Sequence, residues 1–275
     1  DMRRVPEGAL LLVGNVDYQN GPTASLPKKR RRRRGIDVFG GLRDWKPLDE
    51  TLKEISTIAE LYRNEFDYEE DEIRTLSGVE ANESRYRELA SKYEILHLAT
   101  HGFFVDPSKV TYPDFAGSES TTTMTRAALR SSGLAREVPP GLMSGLVLAG
   151  ANRAFDPNRI DDGILTAEEI SFVPLNDTDL VTLSACETGV GKVTSGEGLI
   201  GIQRAFQVAG ARSVIATLWD LDDEIAAKLM SRFYRYYFKD GMIKLDALRQ
   251  AQLDVLRDQR RVRGQIRLRD SKPNA

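Results

Sequence analysis

Cysteine is nearly absent from this chain: there is one, Cys186, in 275 residues, beside only two histidines, His97 and His101. A lone cysteine excludes an internal disulfide framework and fits a reducing compartment, so a cytoplasmic location is expected. One thiol and two imidazoles fall short of the four ligands of a structural zinc site. No metal and no cofactor is therefore expected. Charge of one sign is also missing. The formal net charge is −2, so no global field draws nucleic acid or a membrane surface. No apolar run approaches the roughly 18 residues that would suggest a membrane span. The opening Asp1-Met-Arg-Arg lacks the pattern of a signal peptide and reads as an internal boundary of a longer protein.

The apolar residues that are present, 41% of the chain, suffice for a sizeable core. The length fits one domain spanning 1–275, with its core at about 8–257. Short apolar runs of buried-strand type occur at Ala9–Gly14, Ile73–Leu76, Tyr93–Ala99, Gly145–Ala149, Leu180–Ala185 and Ser213–Leu218. Between them lie helical patterns. Leu52, Ile55, Ile58, Ala59 and Tyr62 make one apolar face within 48–66. Asn82 is placed to cap a helix over 82–92. Thr166 with Glu169 has capping-box spacing. Further helices are expected at about 199–209, 222–238 and 244–257. Segments 19–46 and 107–141, rich in polar, Gly and Pro residues, read as mobile loops, and 260–275 as a charged, frayed tail. Strands alternating with helices imply an α/β fold with a mostly parallel central sheet covered on both faces.

Two strand ends carry the chemistry. Leu180-Val-Thr-Leu-Ser-Ala-Cys-Glu-Thr-Gly189 stops at a thiol, and Ile95-Leu-His-Leu-Ala-Thr-His-Gly102 stops at an imidazole followed by glycine. Strand ends on one edge of a parallel sheet lie side by side, and ligands bind there. A free thiol is mostly protonated at neutral pH. A neighbouring imidazole takes its proton and returns it to a leaving group. Glycine after the imidazole lets backbone N–H groups approach a developing oxyanion. The pattern is that of a cysteine hydrolase, with Cys186 as nucleophile, His101 as base, and the N–H groups of Gly102 and Cys186 as oxyanion donors. Against this stands the plain reading of a lone cysteine as a small buried hydrophobe.

Other motifs point elsewhere. Gly196-Glu-Gly-Leu-Ile-Gly201 matches GxGxxG but begins about ten residues after its strand, too late for a dinucleotide fingerprint. Gly189-Val-Gly-Lys-Val-Thr194 lacks the Ser or Thr that follows a P-loop lysine. His97, flanked by Leu96 and Leu98, reads as a structural histidine or one that supports the site from behind. The run Lys28, Lys29, Arg30, Arg31, Arg32, Arg33, Arg34 is a solvated loop, a nucleic-acid or nuclear-targeting patch, or a cleavage site for a protease that favours basic residues, this one included.

Six blocks resemble the CHAT domain, the caspase-like peptidase domain often found after TPR repeats in bacterial proteins. They are His97-Leu-Ala-Thr-His-Gly-Phe-Phe104, Gly145-Leu-Val-Leu-Ala-Gly-Ala-Asn152, Asp162-Gly-Ile-Leu-Thr-Ala-Glu-Glu-Ile170, Leu183-Ser-Ala-Cys-Glu-Thr-Gly189, Gly196-Glu-Gly-Leu-Ile-Gly-Ile-Gln-Arg-Ala-Phe206 and Ala209-Gly-Ala-Arg-Ser-Val-Ile-Ala-Thr-Leu-Trp219. The resemblance runs from about residue 8 to 257, in the family's order. It implies a caspase-like three-layer fold, a His101/Cys186 dyad whose histidine is oriented by backbone, cleavage of protein or peptide substrates, and control by a TPR-like regulatory domain or partner. Metacaspase relatives with basic P1 preference carry an acidic residue two positions before the nucleophile, where this chain has Ser184. Asp220, Asp222 and Asp223, with Trp219, are the remaining candidates for a pocket that selects Arg or Lys. The plainer reading is that the aspartates cap the helix that follows, and the resemblance is also compatible with an apolar P1 residue.

Overall fold

The computed structural model describes residues 8–22, 44–104, 140–154, 156, 159–184, 197–217 and 222–270. Its strands are β1 (Leu10–Val16), β2 (Ile73–Gly78), β3 (Ile95–Leu98), β4 (Gly102–Phe104), β5 (Ser144–Val147), β6 (Ile164–Thr166), β7 (Leu180–Leu183) and β8 (Val214–Ala216). The helices are α1 (Glu50–Glu65), α2 (Glu83–Leu89), α3 (Ala167–Ser171), α4 (Glu197–Ala209), α5 (Asp223–Tyr234) and α6 (Lys244–Asp270).

Five strands form a wholly parallel sheet in the order β2-β1-β3-β7-β8. The three central strands are buried on both sides, as a sheet covered on both faces requires. Along β1 the side chains alternate. Leu10 and Leu12, with Ile95 and Leu180, pack against α1, α5 and α6 through Ile55, Ile58, Met230, Phe233 and Ala247. Leu11 and Val13, with Leu96, Leu98, Val181 and Leu183, pack on the opposite face against Tyr86 of α2, Ile170 of α3 and Phe206 of α4. This is the three-layer α/β arrangement expected from the alternation of strands and helices.

The run at 145–149 does not join the parallel sheet. It supplies β5, the middle of a separate antiparallel sheet in the order β4-β5-β6. An apolar run of this length fits either sheet, so its partner is not written in its own residues. Both expected caps form. Asn82 accepts from the Arg85 N–H, and Thr166 and Glu169 close a reciprocal capping box. The final helix continues to Asp270, through residues read above as a frayed tail. The helix expected over 222–238 is α5 followed by a π-helical turn at Arg235–Lys239.

A buried carboxylate braces the smaller sheet. Glu83 accepts from the Gly163 N–H at 2.8 Å and pairs with Arg87, which also reaches Glu169 at 3.1 Å and Asp161 at 3.6 Å. Burial, with the neighbouring acids, holds the Glu83 carboxyl well above the usual range. Gly163 lies at φ +84°, and a Cβ there would stand 2.3 Å from the Ala151 N. Only glycine fits.

Candidate functional site

The site begins with the register of two neighbouring strands. β3 and β7 pair in parallel with His97 opposite Thr182 and Leu98 opposite Leu183, and the Ser184 N–H donates to the Leu98 carbonyl at 3.0 Å. His101 follows Leu98 by three positions and Cys186 follows Leu183 by three. The two strands thus run in register to the same edge of the sheet, the edge at which parallel α/β proteins bind ligands. Cys186 itself lies outside the described residues, as do Trp219, Asp220 and the basic run 28–34.

His101 is buried, at 4% exposure, between the rings of Tyr18 and Trp45, whose centroids are 5.1 and 5.4 Å from its own. Its Nε2 is 2.7 Å from the Lys46 carbonyl oxygen. A carbonyl only accepts, so Nε2 carries the proton and the neutral ring keeps its lone pair on Nδ1. Burial lowers the pKa of this imidazole. The Lys46 carbonyl and the Asp223 carboxylate oppose that shift without cancelling it. The net shift favours the neutral ring, the state a base needs.

The walls are fixed by proton accounting. Thr100 spends its hydroxyl proton on the Val147 carbonyl, so the Tyr18 hydroxyl donates to Thr100 Oγ1, at 3.0 Å. Burial pushes the Tyr18 phenol up to about 12, which keeps it a donor. The Val147 N–H donates to the His101 carbonyl at 2.9 Å. Antiparallel ladders alternate bonded and non-bonded pairs. The next pair, Gly102 opposite Leu146, is therefore non-bonded, and the Gly102 N–H is directed away from β5.

The acidic candidates separate. Asp222 is exposed and caps α5, accepting from the Glu224 and Ile225 N–H groups. Asp223, one residue on, is half-buried and near enough to His101 for the two charges to interact. Burial raises its carboxyl pKa, and the His101 charge pulls the other way. Ser184 is buried at the end of β7.

Several residues that build the site were not singled out in the sequence. Trp45 and Lys46 close a segment read there as a mobile loop. The available signal was one large aromatic at the loop's end, immediately before α1. Asn152 stood inside a recognised block, but without a role. Glu54 and Tyr234 sit on helix faces that periodicity marks only as buried. They enclose His97, whose Nε2 is 3.0 Å from Glu54 Oε1 and whose Nδ1 is 3.3 Å from the Tyr234 hydroxyl. The first approach is close but off the hydrogen-bonding line. In the GxGxxG segment, Gly196 lies outside the described residues. Gly201 has a packing reason: a Cβ there would stand 2.8 Å from Ser144 Oγ of β5. Among the described residues no helix is long and apolar enough to cross a membrane, and no acidic, histidine or cysteine cluster is arranged to hold a metal ion.

Comparison with known proteins agrees with this architecture. The profile of the CHAT domain matches residues 3–273. Tetratricopeptide repeat protein 28 of Mus musculus is 24% identical over 190 residues, and the Homo sapiens protein of that name is equally similar. The match covers 69% of this chain but only 7% of either relative. The CHAT domain belongs to the caspase-like protease clan, and the five-stranded parallel sheet flanked by helices is consistent with that fold. A match across nearly the whole length, together with the fold, places this chain in the CHAT domain family.

Proposed function

We propose that the chain is a cysteine endopeptidase domain working with a His101/Cys186 dyad. The observation that carries this reading is the 2.7 Å contact of His101 Nε2 with the Lys46 carbonyl, which makes Nδ1 the basic atom. Nδ1 takes the Cys186 proton, and the thiolate attacks the substrate carbonyl. The Gly102 and Cys186 N–H groups hold the oxyanion, and the imidazolium protonates the leaving amine. The resulting thioester is then hydrolysed. Asp223, half-buried beside the base, is the pocket residue for a basic P1 side chain, with Ser184 at the pocket floor.

The domain works inside the cell, as part of a larger protein or beside a TPR-like partner that controls it. The similarity to proteins named for tetratricopeptide repeats supports that context. The basic segment 28–34 is its candidate self-processing site. Cys186→Ala and His101→Ala are expected each to abolish peptide-library cleavage and labelling by a thiol-directed peptide electrophile, with the thermal transition retained. Cleavage that survives in purified Cys186→Ala protein overturns the reading. A partner-supplied, activated sample that the electrophile does not label indicates a non-catalytic scaffold.

A further inference from the structure

Three polar groups of one residue, Asn152, are spent on the two residues that wall the base. Its side-chain Oδ1 accepts from the Trp45 N–H and its Nδ2 donates to the Trp45 carbonyl, both at 2.8 Å. Its backbone N–H donates to the Tyr18 carbonyl at 2.8 Å. Tyr18 and Trp45 are the residues whose rings flank His101, and the residue after Trp45 supplies the carbonyl that holds Nε2. The turn carrying Asn152 is itself fixed. The Gly150 N–H donates to the Asp17 carbonyl at 3.0 Å, the Ala149 N–H to the Ala81 carbonyl at 2.9 Å, and Gly163 packs against Ala151.

A side-chain amide that pairs in both directions with one backbone residue sets that residue's position and the orientation of its peptide groups. Here it aims the following carbonyl. Without it, the segment entering α1 keeps the cap-like contact of Thr51 Oγ1 with the Leu48 carbonyl but loses its two bonds to the β5–β6 connection. We propose that Asn152 is a positioning residue for the base: through Trp45 it holds the Lys46 carbonyl on His101 Nε2 and so fixes the catalytic tautomer. The catalytic part rests on the reading of His101 and Cys186 given above; the tautomer part does not.

Two measurements on Asn152→Ala and Asn152→Asp test it. The aspartate keeps the acceptor for the Trp45 N–H but sets a second acceptor against the Trp45 carbonyl, so it fails without leaving a hole. With only two histidines in the chain, 15N-imidazole NMR resolves the ring of interest directly. Wild-type His101 is expected as the neutral Nε2–H form, and both variants as a mixture of tautomers, with His97 unchanged. With only one cysteine, alkylation reports Cys186 alone. Its rate at neutral pH is expected to fall about tenfold to a hundredfold in both variants. At about pH 10, above the thiol's own pKa, it should return to the wild-type rate because ionisation no longer needs the base.

Arg153→Ala, which removes a bond from the same turn to the Pro22 carbonyl, is expected to match wild type in both measurements. Wild-type tautomer and wild-type neutral-pH alkylation in either folded Asn152 variant overturn the proposal. So does the same defect in Arg153→Ala, which would make the effect a general loosening of the turn. A wild-type alkylation rate that simply follows free-thiol ionisation counts against the dyad, while the NMR comparison still decides the role of Asn152.

Discussion

His97 and His101 lie four residues apart on one strand and its exit, are both buried, and live in opposite chemical surroundings. His101 meets a backbone carbonyl at Nε2 and lies between two aromatic faces. His97 meets side-chain oxygens at both nitrogens. The Tyr234 hydroxyl gives its single proton to Thr182 Oγ1, at 3.0 Å. It can therefore only accept from His97 Nδ1, while Glu54 Oε1 faces Nε2. The His97 ring lies within β3, fully buried and enclosed by side chains of α1 and α5. What the pair teaches is that burial does not mark a histidine as structural; the kind of partner does, side chains of neighbouring helices for His97 and a backbone carbonyl for His101. His97 spends its ring joining four elements, α1, β3, β7 and α5. These include both strands that lead to the site and the helix whose start carries Asp222 and Asp223.

The comparison predicts a double dissociation, and this is the largest effect expected on stability. His97→Ala leaves the Glu54 carboxylate and the Tyr234 oxygen buried without their partner. Removing a buried polar side chain and leaving its neighbours unsatisfied costs about 1–3 kcal/mol. A lowered urea midpoint checks this, and Cys186 alkylation well below the transition should stay within about threefold of wild type, since His101 and its carbonyl are untouched. His101→Ala should do the reverse, with near wild-type folding and no base-assisted alkylation. If His97→Ala instead folds normally and loses alkylation, the roles are exchanged and the partners of the two rings are no guide.

Much of this was legible in the residues. Continuous apolar runs at 9–14, 93–99 and 180–185 give the three central strands because a doubly covered sheet buries both faces. Cap spacing at Asn82 and Thr166 gives helix starts because those bonds are local. The antiparallel sheet was not legible. β4 and β6 are each three residues long, too short for periodicity, and β5 has no local feature that selects its partners. The strand-end logic picked out His101 and Gly102 but missed Lys46 and Asn152. A carbonyl oxygen is invisible in a sequence, since every residue carries one. Asn152 lies 107 residues from the Trp45 backbone it holds, a separation that only the fold closes. The same limit divides the aspartates, because capping and pocket-lining use identical side chains and differ only in which way they point.

Helix capping gives the next effect in size, and it sharpens the contrast between neighbours. Asp222→Ala should cost about 1 kcal/mol by removing the α5 cap, with no change in P1 preference, and Asp222→Asn should restore the stability because asparagine caps as well. Asp223→Asn is expected to leave stability nearly unchanged while weakening any preference for basic P1 residues in a peptide-library profile. A P1 change in Asp222→Asn would move the pocket to the exposed aspartate.

The smallest effect is the titration of His101 itself. Its folded-state pKa lies below the ordinary value of 6.5, because burial disfavours the imidazolium. As the pH falls from 6.5 through the folded value, the unfolded chain binds a proton that the folded ring still refuses. The unfolded state therefore holds more protons in that window, and stability declines as the pH drops. Above 6.5 both states are neutral at this position and the contribution is flat. Urea melts at pH 7.5 and pH 5.5 should show wild type losing more stability on acidification than His101→Gln, which has nothing to titrate there. Equal losses in the two proteins would mean that the ring takes up its proton as readily in the fold as in the unfolded chain, and the distinction between His101 and an ordinary exposed histidine would be lost.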